Sequence, residues 1–272
     1  MVAPDVVSDR GFRVVRVLFA IVAVAAGTAG VVMVVAPDDT DRYFSWPIGP
    51  PPLAALVGAF YVASAVVFGR AAAREDWAGS RGLCFGVLAL TLPTLVATTR
   101  HRDVFDFGRW QAVAWVALFI ASPIAYGTIL VLQRGRVVGA GARLPRLVVL
   151  AAVIEATAYA ALALGLWVAP SSLEGNSPFA LPGLSGRFLG CWAAFLAVLA
   201  AFVALRNRWN EARTPLLALT LWPAGALFAA FRSWGDLAPS ERRAGYVAAA
   251  VVLTVVGAGM LAASRSTAGS SR

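Results

Sequence analysis

The chain has 272 residues, of which 60% are apolar and only 14% are charged. A soluble domain is about 45–50% apolar and about 25% charged, so this composition excludes an ordinary soluble protein and indicates a membrane-embedded one. A net charge of +9 would suggest nucleic-acid binding in a soluble protein. Here the arginines lie at the ends of apolar segments, where membrane topology explains them, and we expect no nucleic-acid partner.

Eight apolar segments follow one another along the chain, separated by short stretches that carry arginine, proline or glycine. About 20 apolar residues in a helix span the hydrocarbon core of a bilayer. The pattern therefore predicts an all-α, polytopic integral membrane protein with about eight transmembrane helices. The predicted helices cover 14–36, 53–69, 82–99, 110–133, 147–169, 188–205, 214–231 and 245–264.

The arginines are divided unequally between the two sides that this topology defines. Fifteen lie on the side of the N-terminus and eight lie opposite, so the positive-inside rule predicts that both termini are cytoplasmic. The complete absence of lysine among 23 basic residues is typical of a GC-rich bacterial genome. We therefore expect a multi-pass protein of the bacterial cytoplasmic (inner) membrane.

The predicted partner is the lipid bilayer itself. Basic residues that flank membrane helices on the cytoplasmic side attract anionic lipid, so we expect anionic lipid at that face. A membrane-protein partner or a homo-oligomer is left open by the sequence.

The two halves of the chain contain similar short sequences in the same order, which indicates an internal duplication. Because a unit of four helices returns the chain to its starting side, both copies would have one orientation, as in parallel repeats. The predicted division is a first repeat at 1–133, a cytoplasmic basic linker at 134–146, a second repeat at 147–264 and a disordered tail at 265–272. The corresponding sequences are Val35-Ala36-Pro37 and Val168-Ala169-Pro170, Phe44-Ser45-Trp46-Pro47 and Phe179-Ala180-Leu181-Pro182, Leu88 to Pro93 and Leu217 to Pro223, and Arg102 with Asp106 and Arg232 with Asp236.

Pro93 and Pro223, the second preceded by Trp222, lie inside the third and seventh apolar segments. Proline removes a backbone N–H and obstructs the carbonyl four residues earlier, so we expect both helices to be kinked or interrupted. Matched interruptions of this kind mark the central site of many transporters. The alternative is that these are ordinary prolines of membrane helices, whose freed backbone groups are satisfied by their neighbours.

Thr91, Thr94 and Thr98 lie on one face of the third predicted helix. Hydroxyl groups in this position either line a polar path for a substrate or ion, or bond to helix carbonyls and neighbouring helices. The sequence does not decide between these interpretations.

Glu155 is the one carboxylate deep inside an apolar segment, and Tyr159 is four residues further along on the same helical face. A charge in the middle of a membrane costs roughly 2.5–3.5 kcal/mol on insertion scales, so such a residue is a candidate for binding a substrate, a cation or a proton. The alternative is a protonated side chain that hydrogen-bonds to another helix. The matching position in the first half is near Val22, so any such site would be asymmetric.

Two predicted outer loops depart from the positive-inside rule, and their arginines are candidates for binding an anion or a lipid headgroup. The alternative is that their arginines and aspartates form mutual salt bridges. Asp103 and Asp106 also resemble the metal–pyrophosphate sites of membrane prenyl-transfer enzymes, without the expected asparagine–aspartate context. The candidate residues are Arg100, His101, Arg102, Asp103, Asp106, Arg232 and Asp236.

The chain contains none of the common motifs of hydrolases, kinases, metalloproteases or dinucleotide-binding enzymes. His101 is its only histidine, which excludes sites that need several, such as a three-histidine zinc centre. We therefore predict no catalytic residue, no metal site and no cofactor. The favoured function is a non-catalytic membrane component, either an accessory subunit or a lipid-interacting scaffold. The alternatives are a carrier for a small solute or ion, with a site between the repeats, and an enzyme acting on a lipid-linked substrate at the outer face.

Overall fold

The computed structural model describes residues 4–74, 76–136, 138, 141–238 and 240–270. In this part of the chain 84% of the residues are helical and there is no strand. Eight of the helices are long and apolar enough to cross a bilayer, which confirms the predicted polytopic class. The α-helices are α1 (Pro4–Val35), α2 (Thr40–Tyr43), α3 (Pro51–Arg74), α4 (Trp77–Arg100), α5 (Trp110–Leu132), α6 (Arg146–Val168), α7 (Gly183–Arg206), α8 (Trp209–Arg232) and α9 (Ser240–Ser270).

The long helices extend beyond the apolar segments because helical hydrogen bonding continues into the polar ends. α4 begins at Trp77, where the side chain of Asp76 accepts a hydrogen bond from the Gly79 backbone N–H at 2.9 Å. A carboxylate in this position satisfies a backbone donor that the first turn leaves free.

The segment 265–272, predicted to be disordered, is helical through Ser270, and residues 271–272 lie outside the described part of the chain. Once a helix has formed, each added residue contributes a further hydrogen bond. The Ser264 and Ser266 hydroxyls donate to the carbonyls of Met260 and Ala263 within the same helix, at 2.7 and 2.8 Å. The polar composition of this segment therefore does not end α9.

Four helices form the interior of the bundle and four surround it. α4, α7 and α8 pack against one another and α3 packs on α8, whereas α1 packs on α3, α5 on α4, α6 on α7 and α9 on α8. Between 50% and 72% of the apolar windows of the interior helices are buried, compared with 22–28% for the surrounding helices. The outer faces of α1, α5, α6 and α9 are therefore the surfaces that lipid would cover.

Glycines allow the closest contacts between helices. A Cβ atom on Gly58 of α3 would lie 2.7 Å from Met33 Cβ and 2.9 Å from the Gly30 carbonyl oxygen of α1. On Gly190 of α7, a Cβ would lie 3.1 Å from the Ala163 carbonyl oxygen of α6. Small residues are what lets two membrane helices approach so closely.

The linker between the halves is attached to the turn that joins α7 and α8. Asn207 in this turn has a φ of 48°, a left-handed conformation that asparagine tolerates. Its carbonyl and side-chain oxygens accept hydrogen bonds from the Leu144 N–H at 3.4 and 3.2 Å, while the Trp209 N–H donates to the Ala142 carbonyl at 2.9 Å. We call this end of the bundle the inner end, and the opposite end the outer end.

The two halves have matching helix boundaries. α3 and α7 each contain 24 residues, as do α4 and α8. The starts of both pairs are 132 residues apart, at Pro51 and Gly183 and at Trp77 and Trp209. Ala36, which follows α1, has a φ of −128° and a ψ of 66°. Ala169, which follows α6, has a φ of −145° and a ψ of 73°. Each is followed by a proline that begins a 3₁₀ turn.

Candidate functional site

A cavity of about 390 Å³ lies between α6 and α9. Its walls are formed by α6, α7, α8 and α9, with Leu56 and Phe60 of α3 contributed by the other half and the segment 173–181 at the outer end. Small-molecule sites in proteins typically have volumes of about 300–1,000 Å³. The α6–α9 cavity is therefore large enough to hold a ligand.

The walls of the α6–α9 cavity are apolar and rich in aromatic rings, among them Phe60, Tyr159, Phe179, Trp222 and Tyr246. The Tyr246 hydroxyl donates to the Ala226 carbonyl at 3.1 Å. The Tyr159 hydroxyl and the Trp222 indole N–H are buried and have no hydrogen-bond partner within the described residues. Neither donor atom is exposed to the cavity, so the walls offer a ligand mainly apolar and aromatic contacts.

The cavity is accessible along α9. Gly245 and Ala249 line it and are both exposed. A Cβ atom on Gly245 would meet no heavy atom within 4 Å. In a membrane-spanning chain this side of α9 faces the bilayer, so a molecule dissolved in the membrane could enter without passing through water.

The segment at the outer end of the cavity is fixed by hydrogen bonds. The Glu174 side chain accepts a hydrogen bond from the Leu181 N–H at 2.9 Å, and its backbone carbonyl accepts one from Arg242 at 3.4 Å. The Ala238 N–H donates to the Pro178 carbonyl at 2.8 Å. The segment that carries Phe179 and Leu181 is therefore tied to both α9 and the turn before it.

Pro223 and Trp222 are the sequence-predicted residues of α8 that lie at the cavity. α8 continues through Pro223 without a break, although the proline leaves the Leu219 carbonyl without its helical donor. Gly257 of α9 packs against that carbonyl, because a Cβ there would lie only 2.7 Å from the Leu219 oxygen. The close approach of α9 covers the position where α8 lacks a hydrogen bond.

Pro93 occupies a different place in its helix from Pro223. Pro93 is 16 residues after Trp77, the start of α4, whereas Pro223 is 14 residues after Trp209, the start of α8. α4 also continues through its proline. Pro93 does not line the α6–α9 cavity, so the two prolines do not form one site.

The three threonines of α4 are buried and bond to their own helix. The hydroxyls of Thr91, Thr94 and Thr98 donate to the carbonyls four residues earlier at 2.7, 2.6 and 2.9 Å. Thr98 also accepts a hydrogen bond from the Trp115 indole at 3.0 Å. The three hydroxyls thus make the bonds to helix carbonyls that were one interpretation, and none of them lines the α6–α9 cavity.

Glu155 lies on the buried stripe of α6, the helix that packs on α7. The residue is 3% exposed, and neither carboxyl oxygen has a hydrogen-bond partner in the described part of the chain. The interhelical hydrogen bond that was one interpretation is therefore not formed. Glu155 does not line the α6–α9 cavity, although Tyr159 does.

The candidate residues of the outer loops are spread over separate local structures. Arg100 and Arg232 end α4 and α8, Arg102 and Asp103 lie in a 3₁₀ turn, and Asp236 ends another. The Asp106 carboxylate accepts a hydrogen bond from the Gly108 N–H at 3.0 Å. No ion pair joins these arginines and aspartates in the described ranges, so the mutual salt bridges are not formed.

His101 contacts a charged residue outside this set. Its Nε2 lies 3.0 Å from a guanidinium nitrogen of Arg187, at the start of α7. Burial and the charge of Arg187 both lower the pKa of His101, so the imidazole is neutral and accepts this hydrogen bond at neutral pH. Arg187 was not identified from the sequence, because the two residues are brought together only by the packing of α4 on α7.

Groups of three or more histidine, cysteine, aspartate or glutamate residues with the geometry to hold a metal are not found in the described residues. Asp103 and Asp106 therefore belong to no such group in this part of the chain. The described residues therefore add no support to the interpretation of Asp103 and Asp106 as a metal–pyrophosphate site.

Sequence reasoning identified Tyr159, Trp222 and Pro223 but missed most of the cavity. Gly245 and Ala249 gave no signal, because glycine and alanine are ordinary residues of a membrane helix. Comparison of the chain with protein-family models, curated proteins and solved structures finds no match.

Proposed function

We propose that this chain is a lipid-interacting, non-catalytic component of the bacterial cytoplasmic membrane, and that it binds an apolar, membrane-soluble molecule in the α6–α9 cavity. The observation that carries the proposal is the cavity itself: about 390 Å³, aromatic walls and an accessible side along α9. A cavity of this chemistry suits a molecule that partitions into the bilayer better than a hydrated ion.

We further propose that the two halves are copies of one four-helix unit in parallel orientation. The matching boundaries of α3 and α7 and of α4 and α8 support this proposal. The packing of the helices also supports it. Within the halves, α1 packs on α3 as α6 packs on α7, and α5 packs on α4 as α9 packs on α8. Between the halves, α4 packs on α7 as α8 packs on α3. These relations are what a pseudo-two-fold axis along the membrane normal would produce.

Both termini are expected in the cytoplasm, with the inner end of the bundle on the cytoplasmic side. A chain truncated after Asn207 and fused to a fluorescent protein that matures only in the cytoplasm should be fluorescent. The same fusion after Gly235 should be dark, whereas alkaline phosphatase fused at the two positions should give the reverse pattern. Fluorescence after Gly235 and not after Asn207 would show that the orientation is inverted.

Filling the accessible side of the cavity should remove a bound molecule. We expect native mass spectra of the full chain, released from bilayer discs of its own membrane, to contain a population that retains one apolar molecule. Ala249→Phe places a phenyl ring at an exposed lining position and should abolish this population. Ala258→Phe is the matched control, since Ala258 is an exposed alanine of the same helix that does not line the cavity.

The control variant should retain the molecule as the unmodified protein does. Equal retention in both variants, or no retained molecule in the unmodified protein, would contradict the proposal. Thermal unfolding would show whether either variant has failed to fold. If both have, the comparison would be repeated with Ala193→Leu, a smaller change at a lining residue on α7.

The second candidate function is a carrier for a small solute or ion. It is favoured by Glu155, a carboxylate that is buried without a hydrogen-bond partner in the described residues. Intramembrane carboxylates of this kind commonly take up and release protons or cations. The experiment that separates a carrier from a structural role for Glu155 is given in the Discussion.

A further inference from the structure

Arg242 of α9 lies at the outer end of the α6–α9 cavity. It is exposed, and its guanidinium donates to the Glu174 carbonyl at 3.4 Å, next to Leu173, which lines the cavity. Arg242 is also three residues before Gly245, so the two share one face of α9 and are about 4.5 Å apart along its axis. A guanidinium is therefore placed between the outer segment and the accessible side of the cavity.

Most of the hydrogen-bonding capacity of Arg242 is unused. A guanidinium has five N–H donors, and the contact with Glu174 is the one hydrogen bond that Arg242 donates from its side chain within the described residues. The Glu174 carboxylate accepts a backbone N–H instead, and Glu241 is about 100° further round the helix. Arg243, by contrast, lies over the Trp234 ring at 4.5 Å and donates to the Trp234 carbonyl. Of the two neighbouring arginines, Arg242 is thus the one whose donors are available to an anion.

A second polar side chain lies at the same end of the cavity. Asn176 lines the cavity and is exposed. Its backbone N–H donates to the Leu173 carbonyl, and its side-chain amide, which can donate two hydrogen bonds, makes none with the described residues. Since the rest of the wall is mainly apolar, an occupant with one polar end and a long apolar part matches this distribution.

The first half has neither the accessible space nor the arginine. Trp115 is five residues after the start of α5, and its ring lies 4.8 Å from that of Trp46. The residue at the same distance from the start of α9 is Gly245. Arg242 is two residues after the start of α9, and its counterpart in α5 is Ala112, which is 1% exposed. On the proposed duplication, the small side chain and the arginine occur together in one half, as expected if both serve one ligand.

We propose that the α6–α9 cavity holds one acyl chain of a phospholipid from the leaflet at the outer end, and that Arg242 and Asn176 bind its phosphate. The chain would enter past Gly245 and Ala249 and lie against the apolar walls. Arginine recognises phosphate oxygens through its planar fork, and the amide can donate to another oxygen of the same group. This inference rests on the proposed function of the cavity and names the class of its ligand.

The test measures lipid binding to the full chain, stripped of lipid and held in detergent micelles, by native mass spectrometry. The probes are dioleoyl phosphatidylglycerol and dioleoylglycerol, which have the same acyl chains and differ in the phosphate headgroup. We expect one phosphatidylglycerol per chain, bound about 5- to 10-fold more tightly than dioleoylglycerol, as expected for a phosphate beside one arginine. This comparison needs no substitution, and equal affinity for the two lipids would overturn the inference.

Replacement of Arg242 tests the phosphate contact. Arg242→Gln should lower the affinity for phosphatidylglycerol by about 5- to 10-fold and leave the affinity for dioleoylglycerol unchanged, whereas Arg242→Lys, which keeps the charge, should retain most of the affinity. Arg42→Gln is the matched control. Arg42 is an exposed arginine of the first outer loop, and its backbone carbonyl contacts remain in place in this variant. Unchanged affinity for phosphatidylglycerol in Arg242→Gln would overturn the inference.

Replacement of Gly245 tests the position of the acyl chain. Gly245→Trp places an indole at the accessible side of the cavity, as Trp115 does in α5, and should abolish binding of both lipids. Gly259→Trp is the control, since Gly259 is an exposed glycine of the same helix, also without a heavy atom within 4 Å of a Cβ, and does not line the cavity. Gly259→Trp should bind both lipids as the unmodified protein does.

The outcomes separate this inference from the proposed function. Binding of phosphatidylglycerol that survives Gly245→Trp would overturn the inference, because the lipid would then be held outside the cavity. Equal binding of the two lipids that is lost in Gly245→Trp would overturn the inference and leave the proposed function intact. If neither lipid binds, the inference is overturned, and retention of an apolar molecule in the experiment with Ala249→Phe decides separately whether the proposed function stands.

Discussion

Replacement of Gly58 by Leu is expected to separate α1 from α3 and to cost about 3 kcal/mol or more of folding free energy. Even a Cβ atom at this position would lie 2.7 Å from Met33 Cβ and 2.9 Å from the Gly30 carbonyl oxygen. Both neighbours are fixed parts of α1, so the contact can be relieved only by moving the helix. The measurement is unfolding of the purified protein in detergent micelles, by heat or by added SDS, followed by tryptophan fluorescence.

Two comparisons make this prediction specific. Gly58→Ala should destabilise more than Gly190→Ala, whose nearest contact would be longer at 3.1 Å. Gly127→Leu in α5 should be close to neutral, since a Cβ there would meet no heavy atom within 4 Å. Equal losses at Gly58 and Gly127 would mean that the effect comes from helix propensity or from the glycine itself and not from the α1–α3 contact.

Replacement of Glu155 by Leu should stabilise the protein by about 1–3 kcal/mol, because it removes a buried polar group that has no hydrogen-bond partner in the described residues. Thr157→Leu is the matched control. It also replaces a polar residue of α6 by leucine, but Thr157 is exposed and its hydroxyl donates to the Val153 carbonyl at 3.0 Å. A change within about 0.5 kcal/mol is expected for the control, and marked destabilisation by Glu155→Leu would show that the carboxylate has a partner.

The same variant distinguishes the two candidate functions. Residues that work in transport often reduce stability, so a carrier would show a stabilised Glu155→Leu variant that has lost solute uptake in reconstituted vesicles. A lipid-interacting component would show the same stabilisation with unchanged occupancy of the α6–α9 cavity, which Glu155 does not line. Glu155→Gln, which keeps the shape and the polarity, should show little of the stabilisation.

The membrane spans could be predicted because each is encoded by its own contiguous segment. Hydropathy is a local property. Each of the eight predicted segments lies inside one of the eight long helices or extends at most one residue beyond its end. The ends were less predictable: α4 begins five residues before its apolar segment, since Asp76 accepts a hydrogen bond at its first turn. Near the end of α9 the chain stays helical through polar residues whose hydroxyls bond to carbonyls of the same helix.

The cavity could not be predicted because it depends on small side chains, such as those of Gly245 and Ala249, and on how helices distant in sequence pack around them. Gly245 matters only because it is placed opposite Tyr159 and Phe60 by the packing of α9, α6 and α3 around one space. Tyr159 was identified through its neighbour Glu155, yet of the two only Tyr159 lines the cavity. Pro93 and Pro223 appeared equivalent in sequence, but they occupy different turns of α4 and α8.

One contact in the bundle bears on how such a chain arises. Phe60 of α3 and Trp192 of α7 hold the same position in their helices, nine residues after Pro51 and Gly183, and their rings meet at 5.8 Å. A position that touches its own counterpart is characteristic of the isologous interface of a symmetric dimer. On the proposed duplication, the ancestral four-helix protein would have associated with a second copy of itself through this surface, and gene fusion would then have made that association permanent.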